Sequence, residues 1–243
     1  MPDTPRIAAV GLIGLAVTFG DKMSDAANRA AIAFRAAVDA ADWPEVTETA
    51  STLVSTFVAV DLIDTPFEDM QTRLQALLET RDWYAAGLPG GRKLWTLPMC
   101  FDDSRAPQIE EAARAAGLSK AEAVASLSGS RTRVITLGYA PGQPYLGTLD
   151  AAWDIPRQTD LTPRVPAGAL VVAIRQFVLF TAAMPTGWRH VGQGAFRTFD
   201  PNRETPIVLT PGDEIRFAPI TPAELDELER GDSLGGATWE ALP

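Results

Sequence analysis

The sequence predicts an α+β protein of two domains, in which a domain of mixed strands and helices precedes a domain of short strands. Three observations predict this fold class. The first part of the chain has a strand–helix–strand–strand–helix–strand order, and short β runs separated by Pro/Gly turns follow from residue 131 onward. The composition, 46% hydrophobic and 21% charged, is typical of a soluble globular protein. With 243 residues the chain is long enough for two modest domains.

The first element is a strand predicted over residues 12–19, within the apolar run 7–19. This run resembles the core of a signal peptide, but Asp3 lies where a basic region is expected, and Gly11 and Gly14 interrupt it. It is also too short to span a bilayer. A buried strand is therefore favoured.

A helix is predicted from the N-cap Ser24 to about residue 41, followed by strands over 45–51 and 53–61. The helix has apolar residues at the spacing of one buried stripe, namely Ala27, Ala31, Phe34 and Val38.

The second helix is predicted to begin at the capping box formed by Thr65 and Glu68, with Pro66 at the first helical position. Its apolar face carries Met70, Leu74, Leu77 and Leu78. A strand near 92–98 comes next, and the resulting βαββαβ order predicts a ferredoxin-like domain. The connection 88–93 lacks the GxxxxGK[ST] order of a phosphate-binding loop.

Two short helices precede the strand-rich part. One is predicted over 106–116, and the other begins at the capping box of Ser119 and Glu122. The strands that follow are predicted over 132–138, 169–174, 176–182, 195–199, 206–209 and 214–219. They indicate a closed barrel or a sandwich. Thr221 begins a terminal helix, and the tail from Gly231 is predicted to be mobile. The predicted domains are 1–90 and 91–221, with helix and tail over 222–243.

Charge and composition exclude several function classes. The net charge of −10 and the pI near 4.6 argue against nucleic acid and anionic membranes as partners. The single cysteine, Cys100, allows no intrachain disulfide and fits a cytoplasmic location. The only histidine is His190, and no HExxH, CxxC or GxSxG motif is present. The sequence therefore predicts neither a metal site nor a catalytic triad in this chain.

The segment 138–149 is the most informative motif. It holds three glycines, two prolines and two tyrosines in twelve residues, directly after a predicted strand. Proline fixes φ and glycine permits positive φ, so such a loop has one shape and suits ligand or partner binding. The alternative is that the residues only mark a turn.

The same segment resembles the GF-x-PGF-PYLGGL signature of the family formed by the B subunit of 5-oxoprolinase, also known as allophanate hydrolase subunit 1. Further similarity follows in the family's order, at 155–157 and 162–168 (the PR…PR-x-x-VPAG block), 187–188, 191–192, 199–201 and 211–217. Upstream, 17–21 resembles VEFGD and 97–101 resembles IPVCY. The resemblance covers about residues 10–221.

The resemblance implies a ferredoxin-like domain followed by a cyclophilin-like β-barrel, without prolyl isomerase activity. Family members act with a second, larger subunit in ATP-dependent ring opening of 5-oxoproline, and related domains occur in the carboxyltransferase domain of urea carboxylase. A small amide- or urea-like substrate is implied, and ATP is admitted as a cofactor of the complex with the partner.

Several family positions differ in this sequence. Ser128 stands where many relatives have histidine, Gln143 replaces the second phenylalanine of the loop signature, and Gln193 replaces the arginine of IGRT. The GGQTGIYP segment has become 173–180, which retains only the glutamine. Replacing glycine by a bulky residue can close a binding space. The chain is therefore interpreted as a divergent member with changed specificity, or as one without catalysis.

The candidate site residues combine donors, aromatic walls and one acid–base group. Arg157 and Arg164 offer planar forks for carboxylate or phosphate, with surface ion pairing as the alternative. His190 is the catalytic candidate, with packing beside Trp188 as its alternative role. The glutamines suit an amide ligand, and Trp188 with Tyr145 forms an aromatic wall or fills the barrel. The predicted substrate- or partner-binding residues are Pro141, Gly142, Gln143, Tyr145, Arg157, Arg164, Gly168, Gln176, Trp188 and Gln193.

Three functions remain open from the sequence. The first is a cytoplasmic subunit of an ATP-dependent amide or lactam hydrolase, inactive or weak alone. The second is a non-catalytic binding module, such as a KipI-like inhibitor of a sensor histidine kinase. The third is a structural component of a carboxyltransferase-like complex.

Overall fold

The computed structural model describes residues 4–242 and divides into two compact units between Gly90 and Gly91. Both units contain helices and strands. No helix within residues 4–242 has the length and apolar character needed to cross a membrane.

The first unit is a four-stranded antiparallel sheet with two helices. Its strand order is β1-β2-β4-β3. The elements are β1 (Arg6–Ala9), β2 (Gly14–Thr18), α1 (Asp25–Ala41), β3 (Glu48–Ser51), β4 (Ser55–Ala59) and α2 (Phe67–Leu78).

The core of this unit lies between one face of the sheet and the helices. Leu15 and Val58, on neighbouring strands, are fully buried together with Phe34 of α1 and Leu74 of α2. As predicted, Ser24 caps α1, its hydroxyl oxygen accepting a hydrogen bond from Ala27 N at 3.1 Å.

Two predictions for this unit are wrong. The strand predicted near 92–98 does not complete the first sheet, because it forms part of a sheet in the second unit; β1, which was not predicted, lies at the edge next to β2. The capping box at Thr65 is also absent: α2 begins at Phe67, and no side chain caps it.

The second unit contains a closed barrel of seven strands. The order β12-β9-β10-β7-β6-β13-β5 closes where β12 pairs with β5, with Gln193 opposite Cys100. Within the barrel only the β5–β13 pair is parallel. The strands are β5 (Lys93–Cys100), β6 (Thr132–Leu137), β7 (Pro144–Gly147), β8 (Thr162–Val165), β9 (Ala169–Ala173), β10 (Gln176–Leu179), β11 (Met184–Thr186), β12 (Arg189–Gln193), β13 (Glu214–Ile220) and β14 (Thr238–Ala241).

Every barrel strand contributes buried side chains to one apolar cluster, which is therefore the interior of the barrel. Leu97, Phe177 and Phe217 are among its members. The helices α3 (Ile109–Ala115) and α4 (Lys120–Gly129) pack against the same cluster. The predicted capping box of Ser119 and Glu122 is present at the start of α4.

Asp213 ties the start of β13 to β5. Its carboxylate accepts hydrogen bonds from Lys93 N at 2.8 Å, Thr210 N at 3.0 Å and Trp95 Nε1 at 3.2 Å. The carboxylate of Asp213 therefore has a structural role in the turn that precedes β13.

Several boundaries in this unit differ from the predictions. No strand forms over 195–199 or 206–209, whereas β12 and β7 form in segments that were not predicted as strands. Helix α5 (Pro222–Leu228) begins at the predicted capping residue Thr221. The tail predicted to be mobile instead forms β14, which pairs with β5. Strands β8 and β11 form a separate two-stranded sheet.

Candidate functional site

The main candidate site is an open pocket of about 480 Å³ in the second unit. Four segments line it: the turn before β7 and β7 itself, the segment 157–161, the end of β10, and β11 with the residues after it. The lining residues are Tyr139, Gln143, Tyr145, Arg157, Gln158, Leu161, Val178, Phe180, Met184, Pro185, Thr186, Gly187 and Trp188.

The pocket lies on the outer face of the barrel wall. Along β10, Phe177 and Leu179 point into the barrel, so the alternating residue Val178 points outward, where it joins Tyr145 and Trp188 in a second apolar cluster. The rings of Tyr145 and Trp188 meet edge to face at 81° with their centroids 6.4 Å apart. They thus form an aromatic wall of the pocket rather than filling the barrel.

A tight turn over residues 138–143 shapes one side of the pocket. Gly138 N donates to Gln143 O at 3.0 Å, and Gln143 N donates to Ala140 O at 3.1 Å. Gly142 has φ +68°, and a Cβ there would lie 2.6 Å from Thr198 O, so this position requires glycine. Tyr139, also at positive φ, is 83% exposed at the rim.

The polar side chains that line the pocket include several hydrogen-bond donors. Gln143 is only 1% exposed, and its Oε1 accepts from Thr181 N at 3.4 Å, while its amide nitrogen has no partner among residues 4–242. The hydroxyl of Tyr145 likewise makes no hydrogen bond to a described residue. The guanidinium of Arg157 lies 5.5 Å from the ring centroid of Trp188.

Arg157 is the only charged side chain among the described residues that line the pocket. In a chain of net charge −10, this pocket therefore offers a cation, an amide N–H and a phenol without a carboxylate in its described lining. Such a set fits a small ligand with an anionic or carbonyl end and an apolar body.

Two glutamines hold the segment that carries Arg157. Gln158 N donates to Gly187 O at 2.7 Å, and Gln158 Nε2 donates to Trp188 O at 3.0 Å. Gln108 Nε2 donates to Gln158 Oε1 at 2.7 Å. Neither glutamine was predicted as a site residue, because neither belongs to a motif and their pairing spans fifty residues.

Not all predicted binding residues meet in this pocket. Gln143, Tyr145, Arg157 and Trp188 line it, and Pro141 and Gly142 belong to its turn. Arg164 is exposed on β8 and makes no ion pair with a described residue, and Gln176 lies half-buried at the start of β10.

Gly168 and Gln193 lie elsewhere and serve the backbone. Gln193 Nε2 donates to Ala167 O at 2.8 Å and to Gly194 O at 3.1 Å. Gly168 has φ +78°, and a Cβ there would be 2.1 Å from Gly194 O. Gly168 also lines a smaller pocket of about 210 Å³.

His190 lies in β12 and is buried, and it is not among the lining residues. Its Nε2–H donates to Gly192 O at 3.0 Å. Burial lowers the pKa of the imidazole below its ordinary value. That His190 acts as an acid or base stays a prediction.

Within residues 4–242, no cluster of three or more His, Cys, Asp or Glu side chains could hold a metal ion.

Comparison with known proteins gives consistent relatives. The B subunit of 5-oxoprolinase from Bacillus subtilis (strain 168) is 26% identical over 227 residues, which cover 89% of this chain and 93% of that protein. The B subunit of 5-oxoprolinase from Escherichia coli O157:H7 is 32% identical over 148 residues, covering 60% of this chain and 68% of that protein.

Two solved structures share the fold. The TTHA0988 crystal structure superposes with a TM-score of 0.73 at 29% identity over 85% of this chain, and this chain spans only 40% of its length. Kluyveromyces lactis urea carboxylase matches all of this chain with a TM-score of 0.71 over 25% of its own length; at 16% identity this likeness concerns the fold alone.

A family model extends the match across both units of the chain. The model described as carboxyltransferase domain, subdomain C and D, matches residues 5–209. This range includes every lining residue of the pocket. The similarity to 5-oxoprolinase B subunits agrees with the resemblance seen in the sequence motifs. The chain therefore belongs to the carboxyltransferase domain, subdomain C and D family.

Proposed function

We propose that this chain is one subunit of an ATP-dependent amide or lactam hydrolase of the 5-oxoprolinase type, whose active site is completed by a second subunit. The names of the two relatives support the reaction class and the division into subunits. The incomplete coverage of TTHA0988 also fits, since most of that chain lies outside the matched region.

The composition of the pocket carries the proposal. It combines donors with apolar walls, yet its described lining residues include no carboxylate, histidine, lysine, cysteine or serine. Opening an amide bond requires a nucleophile, a proton donor for the leaving nitrogen and donors for the developing negative charge. The described lining offers donors but neither a histidine nor a carboxylate that could activate a nucleophile, so we assign that group to the partner.

Substrate binding in this proposal follows from the donor set. Arg157 takes the ligand's carboxylate, and its guanidinium is oriented by the ring of Trp188 and by the hydrogen bonds that hold Gln158. The amide nitrogen of Gln143 donates to a carbonyl oxygen of the ligand.

We assign ATP to the partner, because the described lining of the pocket does not fit a triphosphate. The pocket provides one cation between apolar walls, and 88–93 lacks the order of a phosphate-binding loop.

The rim of the pocket fits a contact with the partner. Tyr139 is 83% exposed and Leu161 is 64% exposed, and both line the opening. Large apolar side chains gathered in solvent around a pocket are typical of a protein-binding surface.

The test is reconstitution with 5-oxoproline and ATP, with glutamate release as the readout. We expect no appreciable release by the purified chain alone and release when the second subunit is added. Arg157→Ala should raise KM for 5-oxoproline by roughly tenfold, the loss of a charge-assisted hydrogen bond. Robust release without a partner would overturn the proposal.

Arg164→Ala tests the contact with the second subunit, whereas Arg157→Ala tests substrate binding. We expect Arg164→Ala to weaken binding of the second subunit without a large drop in melting temperature, since Arg164 is exposed and unpaired among the described residues. A large drop would make Arg164 a structural residue.

A non-catalytic binding module, such as an inhibitor of a sensor histidine kinase, is the second candidate. The lack of a histidine or carboxylate in the described pocket lining is compatible with this function too, whereas the names of the relatives favour the hydrolase subunit. Inhibition of kinase autophosphorylation by the purified chain, together with no glutamate release in the reconstituted mixture, would select this function.

A further inference from the structure

The sheet of the first unit has a second face, which the helices do not cover. Residues whose side chains share this face pair across all four strands: Ala8 lies opposite Ala16, Ala16 opposite Phe57, and Phe57 opposite Ala50. Leu15 and Val58, which alternate with these residues, belong to the core beneath the helices. The uncovered face is therefore apolar along its central row.

A groove of about 550 Å³ lies at one end of this face. Three large apolar side chains at the groove stand in solvent: Leu12 is 64% exposed, Ile13 65% and Ile63 76%. A Cβ on Gly14 would lie 3.0 Å from the ring of Phe57 and 2.2 Å from Val58 O. The glycine therefore lets the aromatic ring lie close to the backbone beside the groove.

The exposed side chains sit on an ordered backbone. Val60 N donates to Ile13 O at 3.1 Å, and Leu62 N donates to Leu12 O at 3.2 Å, so the hairpin turn is tied to the segment after β4. Asp61 Oδ1 accepts from Ile63 N at 2.9 Å. A surface fixed in this way loses little conformational entropy on binding.

The charges of the groove select among its occupants. Glu48 and Asp61 are the only charged residues in its described lining, and Glu48 makes no ion pair with a described residue. Two copies of a chain with net charge −10 would bring carboxylates against carboxylates here. A partner with an apolar ridge flanked by lysine or arginine would satisfy both the apolar floor and the acidic edge.

We propose that this groove docks a second protein through an apolar ridge edged by basic side chains, and that this protein is the second subunit of the proposed function. The inference rests on that function for the identity of the partner. It adds a contact on the first unit to the one inferred at the rim of the pocket in the second unit.

Bio-layer interferometry measures the affinity of the full chain for the immobilised second subunit. Leu12→Asp and Ile63→Asp should each weaken binding by about tenfold or more, because each places a charge in an apolar contact. Ile174→Asp is the matched control, since Ile174 is 41% exposed in the second unit and lines neither the groove nor the pocket. Unchanged circular dichroism and melting temperature establish that the variants fold.

Salt dependence tests the charge argument separately. Affinity should fall as NaCl is raised, and Glu48→Gln should slow association and flatten this dependence. Glu48→Gln removes one charge but keeps the hydrogen bond that Asp61 Oδ1 accepts from Ile63 N, so the backbone beside the groove is unchanged.

The outcomes separate the two proposals. If Leu161→Asp abolishes binding while Leu12→Asp and Ile63→Asp do not, the groove is not the docking site, and the proposed function stands. If the wild-type chain fails to bind the second subunit, both proposals fail. If the chain alone sediments as a dimer that Ile63→Asp dissociates, the occupant is a second copy and the inference is wrong.

Discussion

The amide of Gln143 belongs to the wall of the pocket, where its Oε1 accepts from Thr181 N at 3.4 Å and its nitrogen makes no hydrogen bond to a described residue. A donor in a pocket wall is available to pair with a ligand or with water. The tight turn over 138–143 fixes the backbone and so fixes this donor in the pocket wall.

Replacing Gln143 by leucine removes the donor and keeps the volume. We expect Gln143→Leu to weaken binding of 5-oxoproline in the reconstituted complex by roughly tenfold, corresponding to about 1–1.5 kcal/mol. The loss of folding stability should stay below about 1 kcal/mol, because the variant gives up only the long contact with Thr181 N. Gln176→Leu is the control, because Gln176 is half-buried outside the pocket lining. Equal effects of the two substitutions on KM would contradict a specific role for Gln143.

The imidazole of His190 should make folding stability depend on pH. Burial lowers its pKa in the folded state, while the unfolded chain titrates near the ordinary value of 6.5. The unfolded chain therefore binds more protons as the solution is acidified, so the stability contributed above pH 6.5 is lost as the pH falls toward the folded pKa.

Urea unfolding between pH 7.5 and 5.5 measures this effect, a range of about one unit on either side of the ordinary histidine pKa. The free energy of unfolding of the wild-type chain should fall over this range more steeply than that of His190→Gln, which keeps a side-chain donor for Gly192 O but does not titrate. Parallel profiles would show that His190 is not the group responsible.

At the scale of helices and strands, local capping chemistry was predictable and its failure has a local cause. The capping boxes at Ser119 and Thr221 form as the sequence indicates. At Thr65 the same pattern fails, because Pro66 takes the N-cap position and the helix begins one residue later than the box requires.

This difference gives a matched pair of substitutions. Ser119→Ala removes an oxygen that accepts from Glu122 N and should destabilise the chain by about 1 kcal/mol. Thr65→Ala removes no cap of α2 and should change the free energy of unfolding by less than about 0.5 kcal/mol. Equal losses in denaturant unfolding would mean that Thr65 caps α2 in solution.

Strand pairing was less predictable than strand position. The segment 92–98 was recognised as a strand, but its assignment to the first domain was wrong, because its partners β13 and β14 lie more than a hundred residues away. Nothing in a strand's own sequence names a partner at that distance. The short, exposed strand β1 carries a similarly weak pattern, since three of its four residues are exposed.

The lining of the pocket was only partly predictable, again because some of its residues meet only through contacts that are distant in the sequence. Gln143 and Tyr145 lie in one sequence motif, and Arg157 and Trp188 lie in two others. All four were therefore predicted as binding residues. Gln158 and Leu161 complete the wall only through tertiary contacts. Conversely, Gln193 occupies a motif position but does not line the pocket. Its Nε2 donates hydrogen bonds to two backbone carbonyls instead.

Considered as a whole molecule, the chain concentrates its chemistry in one unit. The pocket's lining residues all fall between 139 and 188, and the core of the barrel is built from residues of the second unit alone. The first unit has its own core beneath α1 and α2. Each unit therefore has the apolar interior that an independent domain requires.

We therefore expect a fragment of residues 91–243 to fold on its own as a closed barrel and to retain the pocket. It should show the near-UV circular dichroism of packed aromatic rings and a cooperative melting transition, since Trp153 and Phe177 are fully buried within it. Phe177→Ala in the fragment should cost about 3–5 kcal/mol, the usual penalty for emptying a core position. A fragment that binds ANS and lacks a cooperative transition would instead show that the barrel depends on residues before Gly91, and the assignment of substrate binding to this unit alone would fail with it.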